Sequence, residues 1–412
     1  MREMKDSGLQ WAGDIPQYWN IAKGKHFMAV LERPVRDDDN VITCFRDGEV
    51  TLRSNRREDG FTVATVEAGY QGIEPGDLVV HGMDGFAGAI GISDSRGKGT
   101  PALNVLSCSE NKKYIMYLLR AMAYTEVFMA LSTGIRVRTC DTNWKKLKSL
   151  DYLIPPADEQ QRIADFLDAK CAEIDALTAD IQTQIDTLEQ YKRSVITETV
   201  TKGLNPAAET KDSGIQWIGN MPAHWDVIRG KYILRYMQKP VREDDGIITC
   251  FRDGEVTLRS NRREDGFTMS DKEIGYQGID VGDLVVHGMD GFAGSIGISD
   301  SRGKASPVLN VLDTDQCKRY IMYYLRSMAY SDVFLALATG IRVRSCDLRW
   351  NKLAELSYPV PPLDEQNAIV KHIDSVLSKA DAVIADKKAQ LATLDEYKKS
   401  LIFEYVTGKK EV

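Results

Sequence analysis

The chain has 412 residues, 43% of them hydrophobic, which is enough for two to four domains with proper cores. No apolar run approaches the ~18 residues of a membrane span, and Met1-Arg2-Glu3 opens no signal peptide, so membrane-spanning and secreted classes are not expected. Seven Cys without a CxxC pair suit a reducing cytosol and argue against a metal or disulfide framework. The net charge of −7 argues mildly against nucleic acid, but the charge is uneven. Residues 158–189 carry −7 and residues 364–396 carry −3, so the remainder of the chain is on balance basic.

In chain order, the first element is a KDSG segment followed by Trp11, Pro16 and Trp19. It recurs as Trp217, Pro222 and Trp225. Aromatics at these positions suggest a docked terminal strand rather than a chemical role. Next comes β structure. Residues 42–45 and 50–53 flank Arg46-Asp47-Gly48-Glu49, and Asp-Gly between β-formers predicts a hairpin. Residues 76–81 predict another strand, and residues 82–88 a Gly-rich turn. Residues 112–131 have helical composition, with Gly134 available as a cap. A basic segment containing Arg136, Arg138 and Lys145 follows. About 150 residues thus form one α+β globule.

Pro155-Pro156 ends the globule. Residues 158–199 contain no Pro or Gly and would span about 60 Å as one helix. Leu167, Ile174, Ile181, Leu188 and Val195 recur every seventh residue. A second row is read as Ile163, Lys170, Leu177, Gln184 and Tyr191, giving a coiled-coil seam. Residues 364–405 are likewise free of Pro and Gly. Their looser row is Ile373, Ala380, Lys387, Leu394 and Leu401, with Leu377, Ile384 and Leu391 as an alternative. Each helix needs a partner, and the other copy is available.

The dominant feature is the repeat. Residues 42–62 read ITCFRDGEVTLRSNRREDGFT, and residues 248–268 read the same, letter for letter. The offset between Cys44 and Cys250 is half the chain length, and it holds from Lys5/Lys211 to Tyr191/Tyr397. The expected order is globule 1–154, long helix 155–203, globule 204–360, long helix 361–412. Antiparallel pairing of the helices would give an internal pseudo-two-fold repeat.

No catalytic constellation emerges. Residues 91–98 approach a phosphate loop, but five residues separate the glycines and Gly99 stands where Ser or Thr is needed. A nuclease-like reading of Asp94 with Glu110-Asn111-Lys112 fails in the second copy, where Gln316 replaces Glu110. The five His do not cluster at ligand spacing. Recognition residues fit better. Arg and Asn form bidentate hydrogen bonds with guanine and adenine edges. Arg46, Arg53, Asn55, Arg56 and Arg57, with their copies Arg252, Arg259, Asn261, Arg262 and Arg263, are the candidates for base contacts. Lys98, Arg136, Arg138 and Lys145, with Lys304, Arg342 and Arg344, are candidates for phosphate. Glu49, Glu58 and Asp59 also allow an ordinary salt-bridged surface. Against that, residues 64–68 (ATVEA) have become 270–274 (SDKEI), so drift has occurred beside a stretch that has not changed.

SGxQWxGxxPxxW opening each half, GDLVVHGMDGFAG within it, and PPxxEQ opening each long helix together resemble the specificity subunit of Type I restriction-modification systems. PPxxEQ here is Pro155-Pro156 with Glu159-Gln160 and Pro361-Pro362 with Glu365-Gln366. The resemblance covers essentially the whole chain. It implies an α+β fold with two target recognition domains separated by two long antiparallel coiled-coil helices. It implies that each domain reads half of a bipartite site in double-stranded DNA. Two modification (methyltransferase) subunits would dock on the helices and bind S-adenosylmethionine. Motor-nuclease restriction subunits would complete the complex, in the cytoplasm, and this chain would have no cofactor or activity of its own. The common pattern has two different recognition domains. Here they are nearly equal, so the expected target is an interrupted palindrome. Two readings remain beside this one: a self-contained restriction or modification enzyme, and a coiled-coil adaptor for protein ligands.

Overall fold

The computed structural model describes residues 2–56, 68–130, 142–262, 274–336 and 348–412. The chain forms two compact units. The first comprises Met1–Ile181 with Lys388–Val412, and the second Gln182–Lys387. The division falls inside both long helices, so each unit owns one end of each.

In the first unit, an antiparallel sheet carries the strands in the order Met28–Val30, Leu103–Cys108, Leu78–His81 and Ile90–Ile92. Leu78-Val79-Val80 is fully buried, as a strand covered on both faces requires. The hairpin strands Ile42–Cys44 and Val50–Leu52 pair antiparallel where Asp-Gly predicted them. Ile42, Cys44 and Val50 turn inward onto Val79 and Val105. The helix Lys112–Tyr124 packs against the sheet's other side. Asn111 caps it, its side chain accepting from the Lys113 and Tyr114 amides. The second unit repeats this plan with Arg235–Met237, Leu309–Asp313, Leu284–His287 and Ile296–Ile298.

Two expectations need correction. The helix expected over residues 112–131 is broken: it stops at Tyr124, and a short turn, Val127–Ala130, follows. Thr125 turns its hydroxyl back onto the Ala121 carbonyl, and Glu126 has φ of 61°, which no helix continues through. Gly134 lies outside the described residues.

The second correction concerns the seam. The first long helix runs Ala157–Lys202, 46 residues. Leu167, Ile174 and Ile181 are buried as expected, as is Ile163 of the second row, but beyond it the buried companions are Cys171 and Ile185, one residue past the predicted Lys170 and Gln184. Leu177 and Tyr191 are 47% and 51% exposed. In the second long helix, Leu363–Val406, the two rows read as alternatives are one seam, with Ile373, Ala380, Ile384 and Leu401 buried.

Within each unit the two helices run antiparallel. In the first, Phe166 packs on Tyr405 (ring centroids 4.4 Å) and Lys398 pairs with Asp175 at 2.6 Å. In the second, Lys192 pairs with Asp381 at 2.6 Å, and Lys387 bonds to Gln184. The helices exchange roles between units. The first globule packs on Ile163 and Leu167 of the first helix and on Ile402 and Val406 of the second. The second packs on Ile369 and Ile373 of the second helix and on Ile196 and Val200 of the first. The tyrosine hydroxyls match: Tyr114 donates to Leu153 O and Val406 O, and Tyr320 to Pro359 O and Val200 O.

The terminal aromatics and the PPxxEQ residues form one staple. Trp19 is fully buried, and its Nε1 donates to Glu159 Oε2 at 3.1 Å. Tyr18 and Arg2 also donate to that carboxylate. Gln160 donates to Pro155 O and Glu110 Oε2 and accepts from the Asn111 amide. In the second unit Glu365 takes Trp225 Nε1 and His224 Nε2, while Gln366 takes Pro361 O, Gln316 Oε1 and the Cys317 amide. Glu110 and Gln316 therefore do the same job: each supplies an acceptor oxygen to a glutamine. That accounts for their interchange without a nuclease role.

Candidate nucleic-acid interface

The hairpin turn is built from below. Phe45 and Glu49 close it (Phe45 N to Glu49 O, 2.8 Å), and Asp47 Oδ1 accepts from the Glu49 amide. Gly48 has φ of 89°, and a Cβ there would sit 1.8 Å from the Arg120 guanidinium. Arg120 is buried, donating to Gly48 O at 2.9 Å and Ile90 O at 2.8 Å. It ties the turn to the sheet. Gly254 likewise leaves no room for a Cβ beside Arg326, which is half-buried and donates to Ile296 O at 2.7 Å. Ile90-Gly91-Ile92 runs beneath, and a Cβ on Gly91 would lie 2.0 Å from Gly48 O. The glycine spacing that approached a phosphate loop thus serves close packing. Arg96, from the same stretch, is committed to Asp39 and Glu74.

The candidate side chains stand on this platform. Arg46 lies at the tip, 63% exposed, and pairs with Asp84 at 2.8 Å; Arg252 pairs with Asp290 at 3.2 Å. Arg56 lies over the Phe45 ring at 4.4 Å and pairs with Asp47 and Glu49, as Arg262 does with Phe251, Asp253 and Glu255. Arg53 and Asn55 belong to a 3₁₀ turn rather than an open loop. Arg53 reaches Thr43 Oγ1 and Asn55 donates to Thr51 Oγ1; Arg259 and Asn261 repeat both bonds. Lys98 lies beside the hairpin base, where its strand bridges Val41, and Lys304 bridges Ile247. The structure thus brings Arg46, Arg53, Asn55, Arg56 and Lys98 to one hairpin, and their copies to the other. Arg57, Arg136, Arg138, Arg263, Arg342 and Arg344 lie outside the described residues. Lys145 sits apart from the hairpin, on the short helix Trp144–Leu147.

The sequence reading missed Asp84 and His81. His81 Nδ1 accepts from the Met83 and Asp84 amides, which fixes Asp84 opposite Arg46. Burial pushes the His81 imidazole below its ordinary pKa and favours the neutral acceptor; His287 behaves alike. The signal was the HGMDGFAG turn, present in both copies, but its partner lies 38 positions away. The site holds donors and acceptors side by side on an exposed, rigid turn. Among the described residues no group of His, Cys, Asp or Glu is placed to hold a metal ion.

No protein-family model matches the sequence. The chain is 23% identical to a putative type I restriction enzyme MjaX specificity subunit of Methanocaldococcus jannaschii, over 97% of this chain and 95% of that one. It is 19% identical to the type I restriction enzyme StySPI specificity subunit of Salmonella potsdam, over 96% and 90%. The chain is a homologue of type I restriction specificity subunits. The fold agrees. A solved chain from a study of complex assembly and conformational transition of the type I R-M system superposes with a TM-score of 0.67 at 13% identity, covering 96% of this chain and 99% of that one. The likeness extends over the full length in which one globule-and-helix plan is used twice. Among the described residues no helix is long and apolar enough to cross a membrane.

Proposed function

We propose that this specificity-subunit homologue is the DNA-recognition subunit of a type I restriction-modification complex. It reads a bipartite target through the two hairpins, with residues 1–154 and 204–360 as target recognition domains. Methyltransferase subunits carrying S-adenosylmethionine dock on the paired helices, and motor-nuclease subunits join them in the cytoplasm. The chemistry belongs to those partners; this chain supplies the specificity.

The observation that carries the reading is the pair of equal hairpins. Each presents an Arg at its tip and a second Arg on an aromatic ring, on a platform of Gly packed against Arg120 or Arg326. Their carboxylate partners do not prevent DNA binding. An exposed ion pair is worth only about 0–1 kcal/mol, whereas a bidentate base contact discriminates by about 1–3 kcal/mol. Equal hairpins predict equal half-sites, read on opposite strands: an interrupted palindrome.

The test is a methylation assay with purified subunits. Methyltransferase subunits alone should modify no defined motif. Addition of this chain should direct methylation to one bipartite motif, with binding that falls as salt rises. Methylation by this chain alone would support the self-contained enzyme instead. Absence of salt-dependent DNA binding in the assembled complex would support the protein adaptor.

A further inference from the structure

The residues lining the two hairpin sites are equal except at one position. In the second unit a cavity of about 580 Å³ opens beside the hairpin, lined by Phe251, Arg252, Asp253, Arg262, Asp290 and Ser295 among others. Every lining residue recurs at the corresponding position of the first unit except Ser295, whose counterpart is Ala89. The backbone is the same at both. The Ser295 carbonyl accepts from the His287 amide and its own amide bonds to Asp290 O, as Ala89 does with His81 and Asp84. Ser295 is 1% exposed, and its hydroxyl has no hydrogen-bond partner.

A buried hydroxyl without a partner is unfavourable, and Ala89 shows that the fold does not need one there. An oxygen kept at such a place has a use when something enters the cavity. The lining selects what enters. Two guanidiniums alternate with two carboxylates, so an anion meets as much repulsion as attraction. The mixed edge of a base pair, with acceptors and donors side by side, matches Arg and Asp together. A serine hydroxyl both donates and accepts, so it can add a bond to such an edge directly or through one water.

We propose that Ser295 sets specificity in the second unit: its hydroxyl bonds to a base edge of the second half-site, while Ala89 offers none to the first. The two half-sites then carry the same word with unequal stringency at one base pair. This rests on the DNA-recognition reading above.

The test uses the chain assembled with its methyltransferase subunits and a pool of duplexes randomised over both half-sites, read by sequencing the methylated fraction. The wild type should discriminate about fivefold more sharply at one position of one half-site than at its symmetric position, the worth of one added hydrogen bond. Ser295→Ala should make the two half-sites equal, and Ala89→Ser should sharpen the other. Each variant installs the residue that the other unit already carries, so folding is preserved. Equal stringency in the wild type, or an unchanged pattern in Ser295→Ala, would overturn the proposal and leave a buried hydroxyl only. A pool yielding no bipartite motif at all would overturn the DNA-recognition reading itself.

Discussion

The staple and the hairpin respond to duplication in opposite ways. The staple is largely buried, yet Tyr18 has become His224, Glu110 has become Gln316 and Asn111 has become Cys317. The bonds at two of these positions survive because His224 and Gln316 supply a donor and an acceptor in the same places. At Cys317 only the backbone amide bond is kept, and the side-chain cap of Asn111 is lost. The hairpin is exposed, where the fold tolerates most substitutions, and not one residue has changed across 42–62 and 248–268. Internal geometry explains the first pattern. Of the second it explains Gly48, the inward Ile42, Cys44 and Val50, and little about the arginines. Their carboxylate and ring partners explain where they lie, and the proposed contact with DNA supplies a reason for their identity.

The contrast can be broken hardest at the staple. Glu159→Ala strands Trp19 Nε1 and the Arg2 guanidinium at a buried site and should cost about 3–5 kcal/mol in urea unfolding. Glu365→Ala should cost less, because Ala208 stands where the first unit has Arg2, and the remaining partner besides Trp225, His224, is half exposed. Gly48→Ala forces a Cβ into Arg120 at a left-handed φ, and we expect a loss of about 2–4 kcal/mol with the turn displaced. Asp39 supports the hairpin's flank through Arg96, whose hydrogen bonds hold its carboxyl at about 2, below the ordinary 3.8. A lowered folded pKa means that this stabilisation is present above about pH 4 and is lost as pH falls through 2. Asp39→Asn should cost about 1.5–3 kcal/mol near neutrality and flatten the acid limb of a stability–pH curve.

On the hairpin the effect should shift from stability to sequence choice. Arg56→Ala with Arg262→Ala should relax one symmetric base position by about 1–3 kcal/mol per contact, with little change in melting. Uniform weakening on all sequences would assign these residues to phosphate, and no effect would make them ordinary surface. The smallest expected change is Glu110→Gln, within about 0.5 kcal/mol, because Gln316 already performs that role in the second unit.

Much of this arrangement was legible in the sequence. The hairpin followed from Asp-Gly between β-formers, and the long helices from their freedom from Pro and Gly. Along one row the seam is displaced by one residue after Ile163, which is buried as expected. Leu177 and Tyr191 are strongly apolar yet exposed, while the buried row contains Cys171 and Ala164, whose hydrophobic signal is weak. The Arg46–Asp84 pair joins two turns through the sheet, and spacing along the chain carries no trace of it. Nor does spacing tell which end of which helix closes each unit. That depends on Tyr114 finding Val406 O and Tyr320 finding Val200 O.

The central claim is that two equal hairpins read two equal half-sites. Single-molecule methylation mapping of DNA from cells carrying this chain with its methyltransferase subunits tests it most directly. The account predicts one bipartite motif whose halves are reverse complements across a fixed gap. An asymmetric bipartite motif would contradict it.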